Sequence, residues 1–181
     1  MLAAELSRRS EMPVVSSDTV RKRLAHLAPN ETARAEHYTP RFTRATYEQL
    51  ARDALHALHR GDTVIVDATC RSREDRAPLL SRLRRNATTL LVVRCEVPLE
   101  LAVQRATRRL RDPRRSSDAT PRIAAEQSRA FEEFDELPPG SLLRLDATQT
   151  LDTQVAELAR AVDRGRLGGD VDPQTQADDR Q

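Results

Sequence analysis

The stretch DTVIVDAT, residues 62–69, decides the fold of this chain. Its consecutive β-branched residues, Val64–Val66, predict a strand that is covered on both faces, as strands are in parallel sheets. Neighbouring parallel strands are joined by a crossover connection, which is usually a helix. The sequence on either side of residues 62–69 is therefore expected to alternate between helices and further strands.

The flanking sequence has this alternation. Apolar residues recur at helical spacing before the stretch, and Gly61 ends that segment. The predicted strands are Pro13–Ser16, Asp62–Thr69, Thr89–Val97 and Ser141–Thr148. The predicted helices are Leu2–Arg9, Asp18–Leu27, Thr43–Arg60, Arg73–Asn86, Pro98–Arg111, Pro121–Phe134 and Leu151–Arg164. Strands that alternate with helices indicate an α/β fold with a parallel sheet.

Length and composition restrict the class of protein. The chain has 181 residues, of which 38% are hydrophobic and 32% charged, which favours one packed domain. We predict that this domain covers residues 1–165 and that residues 166–181, rich in Gly, Asp and Gln, form a disordered tail. The sequence has no apolar run long enough for a membrane span and no signal-peptide pattern at its start, so we expect a cytoplasmic protein.

Three further classes are disfavoured. The two cysteines are far apart in the sequence, which argues against a zinc site or a disulfide framework. The four histidines form no ligand pattern. A net charge of +2 argues against nucleic-acid binding, although the run RRLRDPRR, residues 108–115, leaves it open as a weaker alternative.

Aspartates follow three of the predicted strands, as Asp18, Asp67 and Asp146. Taken singly, each of them is explained equally well as a cap of the next helix. Ligands of parallel sheets bind beyond the carboxyl ends of the strands, so the three together favour a polar site. Asp18 is suited to accept a proton from a substrate hydroxyl. Arg21, three residues further on the same helix, is suited to hold a phosphate or carboxylate.

Other residues extend this candidate site. Asp67 ends a buried strand and is suited to support a magnesium ion through water. Arg105, Arg108 and Arg109 lie on a predicted helix that leads into a polar segment, residues 112–118. Basic residues in that position can close over a transferring phosphoryl group and stabilise its charge.

These stretches resemble P-loop kinases of the polynucleotide-kinase-like and zeta-toxin-like group. The elements VVSSDTVR, VIVDAT, VPLELAVQRATRR and LLRLDAT follow the order of that group. A closer resemblance covers almost all of residues 1–165. It is to the ATP-binding domain often fused behind an aminoglycoside-phosphotransferase-like domain in bacteria, and HYTPRFTRATYEQL, VIVDATCRSREDR and SSDATPRIAAEQ carry it.

The resemblance implies a three-layer α/β/α fold and transfer of the γ-phosphoryl group of ATP, with Mg²⁺, to a hydroxyl of a small molecule or nucleotide. Asp18 and Arg21 match the catalytic Asp-x-x-Arg of the group. Arg105 and Arg109 match its phosphate-binding arginines on the lid helix. Asp67 matches the aspartate that faces the nucleotide and the metal. Whether the reaction is that of a kinase or an ATPase stays open.

The chain departs from this family in one respect. The family binds ATP with a glycine-rich loop that ends in Gly-Lys-Ser or Gly-Lys-Thr. This sequence has no glycine before Gly61, and its only lysine, Lys22, lies between two arginines. We therefore expect that the chain lacks the P-loop and the first, central strand, that it begins within the first helix, and that it binds ATP weakly or not at all.

Three explanations of this departure compete. The start codon is wrongly assigned, the gene is a fragment of a larger fusion, or the product has lost ATP chemistry and serves as a non-catalytic interaction or regulatory partner. The missing strand has the same structural consequence under each explanation. In the family the central strand lies between the strands predicted at 62–69 and 89–97. Without it, those strands either pair directly or leave exposed, unpaired edges that lower stability.

Overall fold

The structure, a computed structural model, describes residues 2–61, 63–86, 89–110 and 120–167, without the side chains of residues 110 and 164–167. The strands are β1 (Val14–Ser16), β2 (Ile65–Asp67), β3 (Val92–Glu96) and β4 (Leu142–Asp146). The helices are α1 (Leu2–Ser10), α2 (Ser17–Leu24), α3 (Pro40–Arg60), α4 (Arg73–Asn86), α5 (Leu99–Leu110), α6 (Pro121–Arg129) and α7 (Leu151–Leu167), with a 3₁₀ turn at Ala35–Tyr38. Within these ranges, no helix is long and apolar enough to cross a membrane.

The described strands form two parallel pairs. In the first pair Val14 of β1 lies opposite Ile65 of β2, and in the second Val92 of β3 lies opposite Leu142 of β4. The predicted α/β fold with parallel strands is confirmed. No ladder joins β2 to β3 in the described part of the chain, so of the two expected arrangements the direct pairing of these strands is not adopted.

Element boundaries differ from the predicted ones for identifiable reasons. α3 begins at Pro40 rather than Thr43 because the Thr39 hydroxyl accepts a hydrogen bond from the Phe42 amide and because proline suits the first turn. α6 ends at Arg129 rather than Phe134 because the following backbone turns towards α4, where its carbonyls are hydrogen-bonded. The segment predicted at 112–118 and the tail beyond residue 167 lie outside the described residues.

The main core lies between α2, α3 and α4, on one face of the β1–β2 pair. Its buried members are Val20, Tyr47, Leu50, Ala51, Ala54, Leu79 and Leu83. Val15, Val64, Val66 and Leu90 pack against this cluster from the strand side. Ala51 and Ala54 of α3 are fully buried and leave room for close approach of the neighbouring helices, and aliphatic side chains fill most of this core in a chain with only 3% aromatic residues.

Two contacts hold the strand pairs in one body. Helix α1 packs against β1, β2 and α7, and Arg9 of α1 forms an ion pair with Asp152 of α7. On β3 and β4, Arg94 and Arg144 both bind the Glu133 carboxylate, at 2.5 and 2.7 Å. Glu133 belongs to the segment 131–137, which also binds α4 through Arg76. The relative position of the pairs is therefore set by side chains and helices, not by a continuous sheet.

Candidate active site

Asp18 and Asp67 lie at the carboxyl ends of neighbouring strands. Ser16, the last residue of β1, lies opposite Asp67, the last residue of β2. Asp18 follows two residues after Ser16, in the first turn of α2, and is half-buried, whereas Asp67 is exposed. Ser16, not Asp18, is the N-cap of α2, so the capping explanation does not account for Asp18. The β1–β2 ladder thus places a carboxylate on each of two adjacent strand ends.

Asp67 is the candidate ligand for a magnesium ion. Among the described residues, no group of three or more His, Cys, Asp or Glu side chains is placed to hold a metal ion. Mg²⁺ usually keeps several waters and takes one or two carboxylates together with substrate phosphates. Asp67 fits that pattern as a single carboxylate ligand, in direct contact or through water.

The loop after Asp67 is held in a fixed and strained conformation. Cys70 has a φ of 48°, in the left-handed region that disfavours side chains. Its amide donates to the Tyr47 hydroxyl at 2.9 Å, and its carbonyl accepts from Arg76 Nη1 at 3.2 Å. Burial raises the pKa of the Cys70 thiol to about 11, so the thiol is neutral at pH 7. Backbone strain that is fixed by its surroundings is concentrated at functional sites.

Arg76 is the side chain that holds this loop. It is 0% exposed and ion-pairs with Glu136, with Nε at 2.6 Å from the carboxylate. Its other nitrogens donate to the carbonyls of Glu132 and Glu133 at 2.9 and 2.5 Å, and its guanidinium stacks on the Phe134 ring. One buried cation therefore connects the loop after β2 to the segment 131–137.

Arg21 is engaged by the protein itself. It is buried, its Nη1 donates to the His37 carbonyl at 2.5 Å, and its guanidinium stacks on the Tyr38 ring at 4.5 Å. Nη1 also lies 3.5 Å from the Thr43 hydroxyl. Arg21 thus fixes the segment 37–43 against the helix that carries Asp18. The only lysine is also used structurally, because buried Lys22 donates to the Pro29 carbonyl at 3.0 Å.

The two arginines predicted on the lid helix, Arg105 and Arg109, lie on α5 in different environments. Arg105 Nη2 donates to the Ala147 carbonyl at 2.8 Å, which fixes the turn after β4. In that turn the Asp146 carboxylate accepts from the Thr148 amide and hydroxyl and from the Gln149 side chain, and these bonds lower the pKa of Asp146. Arg109 is exposed on α5, beside the segment outside the described residues. Their predicted roles in phosphate binding stay predictions.

Sequence reasoning missed the roles of Tyr47 and Arg76. Both lie inside stretches that carry the family resemblance, but nothing in the sequence distinguishes them from the other residues there. Arg76 is one of many arginines, and its partners in the segment 131–137 lie 56 to 60 positions away. The acidic run at 131–136, which contains four carboxylates, was the one available signal for a buried cation.

We expect Cys70→Gly to be more stable than Cys70→Ala by about 1 kcal/mol, although both lose the thiol. Glycine adopts a positive φ without steric cost, whereas alanine keeps the strain of the native residue. Urea denaturation of the two variants measures the difference. Equal stability, or a more stable alanine variant, would show that the loop after Asp67 is not strained.

We expect the protein to lose stability in acid as its paired glutamates are protonated. Hydrogen bonds from Arg76 lower the pKa of Glu136, and those from Arg8 and Arg9 lower the pKa of Glu5 to about 2. Their stabilising contribution is complete above the unfolded pKa of 4.5 and is lost as the pH falls towards the folded value. Denaturation at pH 7 and pH 3 measures the loss, which should be smaller in Glu136→Gln. An unchanged loss in that variant would contradict the role of Glu136.

Comparison with known proteins places these observations in a family. The sequence model of the AAA domain matches residues 1–134. The chain has the fold of a protein described as a "putative kinase" from Chloroflexus aurantiacus J-10-fl, with a TM-score of 0.61 and 16% identity over 88% of this chain and 89% of that one. It also resembles a gluconokinase from Sinorhizobium meliloti 1021, with a TM-score of 0.54 and 16% identity over 90% of this chain and 83% of that one. No curated protein matches the chain.

The family match includes β1, β2, the loop after Asp67, α5 and α6. It ends at residue 134 and so includes Glu132, Glu133 and Phe134, which contact Arg76. It covers well over half of the chain, and the two solved structures support the same fold over nearly all of it. The chain therefore belongs to the AAA domain family.

Proposed function

We propose that this domain belongs to an ATP-dependent phosphotransferase that transfers a phosphoryl group to a hydroxyl of a small molecule or nucleotide. The observation that carries the proposal is the pair of carboxylates at adjacent strand ends, Asp18 beyond β1 and Asp67 at the end of β2. The kinase descriptions of the two structures that share the fold support it. A fused aminoglycoside-phosphotransferase-like domain and a cytoplasmic location stay predictions.

Each carboxylate has a separate role in this proposal. Asp18 accepts the proton of the attacking hydroxyl. Asp67 supports Mg²⁺, which neutralises charge on the transferring phosphoryl group when it is bound. In this proposal Arg109, which is exposed on α5, binds phosphate. Arg21 orders the segment 37–43 beside Asp18, and its direct contact with substrate stays a prediction.

Binding of ATP, the phosphoryl donor, requires a glycine-rich loop. Phosphates of ATP are bound by backbone amides of a glycine-rich loop and by its lysine, and this sequence contains no such motif. We propose that these 181 residues lack the P-loop and its strand and that they bind ATP weakly at most. The phosphotransferase is then the form that carries both.

ATP titration tests this proposal. We expect the 181-residue chain to bind Mg-ATP in the millimolar range or not at all. A version that includes the upstream in-frame codons is expected to bind at least tenfold more tightly if those codons encode a strand and a Gly-x-x-Gly-x-Gly-Lys loop. The matched control is the same extension with its lysine changed to alanine. Tight, magnesium-dependent binding by the short chain would contradict the proposal.

A second candidate function has one observation in its favour. A non-catalytic interaction partner would need a surface that accepts another polypeptide, and β2 and β3 each lack a ladder partner on one side in the described part of the chain. This candidate predicts no ATP turnover by any extended form, whereas the phosphotransferase predicts turnover that depends on Asp18.

A further inference from the structure

A groove of about 700 Å³ lies along the edge of β1. Its walls come from β1, from α2 and from the carboxyl-terminal half of α3. No residue of β2 lines it, so the groove lies on the side of β1 that faces away from β2. Neither Asp18 nor Asp67 lines it either, which makes it separate from the candidate active site.

The backbone of β1 presents unpaired groups along this groove. The Pro13 carbonyl accepts a hydrogen bond from the Ile65 amide, so the Pro13 backbone faces β2. Backbone groups of alternate residues in a strand point to opposite sides, so those of Val15 also face β2 and those of Val14 and Ser16 face away from it. In the described part of the chain, no strand pairs with this outer edge. The Val14 amide and carbonyl and the Ser16 amide are therefore open to pairing.

The side chains beside this edge are apolar. Val14 is 37% exposed and is one of two large hydrophobic side chains that are exposed among the described residues. Val15, Val20 and Ala57 line the same groove. An unpaired strand edge with exposed apolar side chains is a template for pairing with another chain. Pro13 does not protect this edge, because the side of its backbone that lacks an amide faces β2.

Two of the charged side chains in the groove compensate each other. Arg23 of α2 forms an ion pair with Asp53 of α3, with Nη2 at 2.5 Å from the carboxylate. The Asp53 carboxylate also accepts a hydrogen bond from the Gln49 side chain at 2.7 Å. This pair joins the two helices at one wall of the groove and leaves no net charge there.

Hydrogen-bond donors lie at the amino end of β1. His56 and Arg60 are about one turn apart on α3, line the groove and form no ion pair with a described residue. α3 ends at Arg60 and leads into β2, whose first residue lies opposite Val14, so both side chains are near the start of β1. Of the described residues that line the groove, Glu11 is the only carboxylate without an ion pair. Most of the groups that a ligand meets at this end are therefore donors, which suit a carboxylate.

We propose that the groove beside β1 binds an extended segment of another protein, with apolar residues followed by acidic ones, as an added antiparallel strand. Antiparallel pairing is the more stable kind, and parallel sheets of α/β folds often carry an antiparallel strand at their edge. This direction places the carboxyl end of the segment at the amino end of β1, beside Arg60 and His56. The inference does not depend on the proposed phosphotransferase activity.

The pairing fixes which groups meet. One residue of the segment lies opposite Val14 and exchanges two hydrogen bonds with it, and the Ser16 amide donates a third. The apolar side chains of the segment pack on Val14 and Ala57. The acidic residues that follow them bind Arg60 and His56. Main-chain bonds thus supply affinity, and the side chains supply selectivity, as in other cases of strand addition.

An NMR titration of the full chain tests the inference. The probe is the capped, monomeric peptide Gly-Ser-Val-Thr-Val-Asp-Glu-Gly, whose second valine is designed to lie opposite Val14. The peptide is expected to shift the amide signals of Val14, Ser16 and Ala57 and to leave that of Leu145 on β4 unchanged. At a peptide concentration 100 times the Kd, hydrogen exchange of the Val14 amide is expected to slow by about 100-fold.

Two controls separate backbone pairing from charge. N-methylation of the second valine removes the donor to the Val14 carbonyl and is expected to weaken binding by about tenfold. Arg60→Gln is expected to weaken binding of the acidic peptide by about two- to fivefold and to leave unchanged the binding of a peptide with lysine in place of both acidic residues. The matched variant is Arg44→Gln, which changes an exposed arginine of the same helix outside the groove and should have no effect.

Several results would overturn the inference. Absence of shifts at millimolar peptide would show that the groove binds no such strand. Equal binding of the N-methylated peptide would exclude strand pairing, and equal binding by Arg60→Gln would exclude recognition of the acidic end. Slow exchange of the Val14 amide without peptide would show that a second copy fills the groove if it depends on protein concentration, and a segment of the same chain if it does not. No nucleotide enters this readout, so failure here does not bear on the proposed reaction.

Discussion

Replacing Arg76 with methionine is expected to lower the free energy of unfolding by about 3–5 kcal/mol. The guanidinium is 0% exposed, and methionine restores its apolar stem but none of its donors. Its loss leaves the Glu136 carboxylate without its buried partner and leaves the carbonyls of Glu132 and Glu133 without their donor. Each buried carbonyl that is left without a hydrogen-bond donor can lower the free energy of unfolding by up to about 1–3 kcal/mol. Because a domain of this size is stable by about 5–15 kcal/mol, this loss removes a large part of its stability.

Chemical denaturation followed by circular dichroism measures this loss. The matched control is Arg85→Met, which changes an exposed arginine in the last turn of the same helix and should shift stability by less than about 0.5 kcal/mol. Arg76→Lys should recover only part of the loss, because an ammonium group cannot supply the planar set of donors that reaches Glu136 and the backbone carbonyls together. A loss in Arg76→Met no larger than in the control would show that the contacts of Arg76 do not hold the segment 131–137.

The strands and their parallel arrangement were predictable because they depend on local signals. A β-branched run such as Val64–Val66 is recognisable without knowledge of its neighbours. The crossover helices between strands then restrict the sheet to parallel pairs. The strand boundaries were less predictable, because they depend on the partner strand. The hydrogen-bonded pairing of β2 with β1 stops at the Ser16–Asp67 pair, where β1 ends. Strand length is a property of the partner as much as of the sequence.

The functions of individual arginines were not predictable for the opposite reason. Arg21 and Arg76 are surrounded in sequence by other charged residues, and their partners come from distant segments. A pattern such as Asp-x-x-Arg places both side chains on one helical face. It does not reveal that the Arg21 guanidinium donates to the His37 carbonyl and stacks on the Tyr38 ring. Only the tertiary fold distinguishes a cation that binds ligand from one that binds backbone.

Asp18→Asn is expected to lower kcat for phosphoryl transfer by about 10²–10⁴-fold in the extended form that binds ATP. Asparagine has the shape of aspartate and keeps a polar group in the first turn of α2, but it cannot accept the proton of the substrate hydroxyl. ATP affinity is expected to change less than about twofold, because general-base catalysis acts on the acceptor and not on the nucleotide. Coupled assays of turnover and calorimetric titration with Mg-ATP measure the two quantities separately.

The control for this prediction is Asp163→Asn, which removes an exposed carboxylate from α7 and should leave both kcat and ATP affinity unchanged. Thermal unfolding of each variant distinguishes loss of catalysis from loss of fold. An unaltered kcat in Asp18→Asn would exclude Asp18 as the base. Equal loss of turnover and of ATP binding would place Asp18 in the nucleotide site. Turnover lost at Asp18, with binding and stability retained, is the result that makes the carboxyl end of β1 the acceptor side of the reaction.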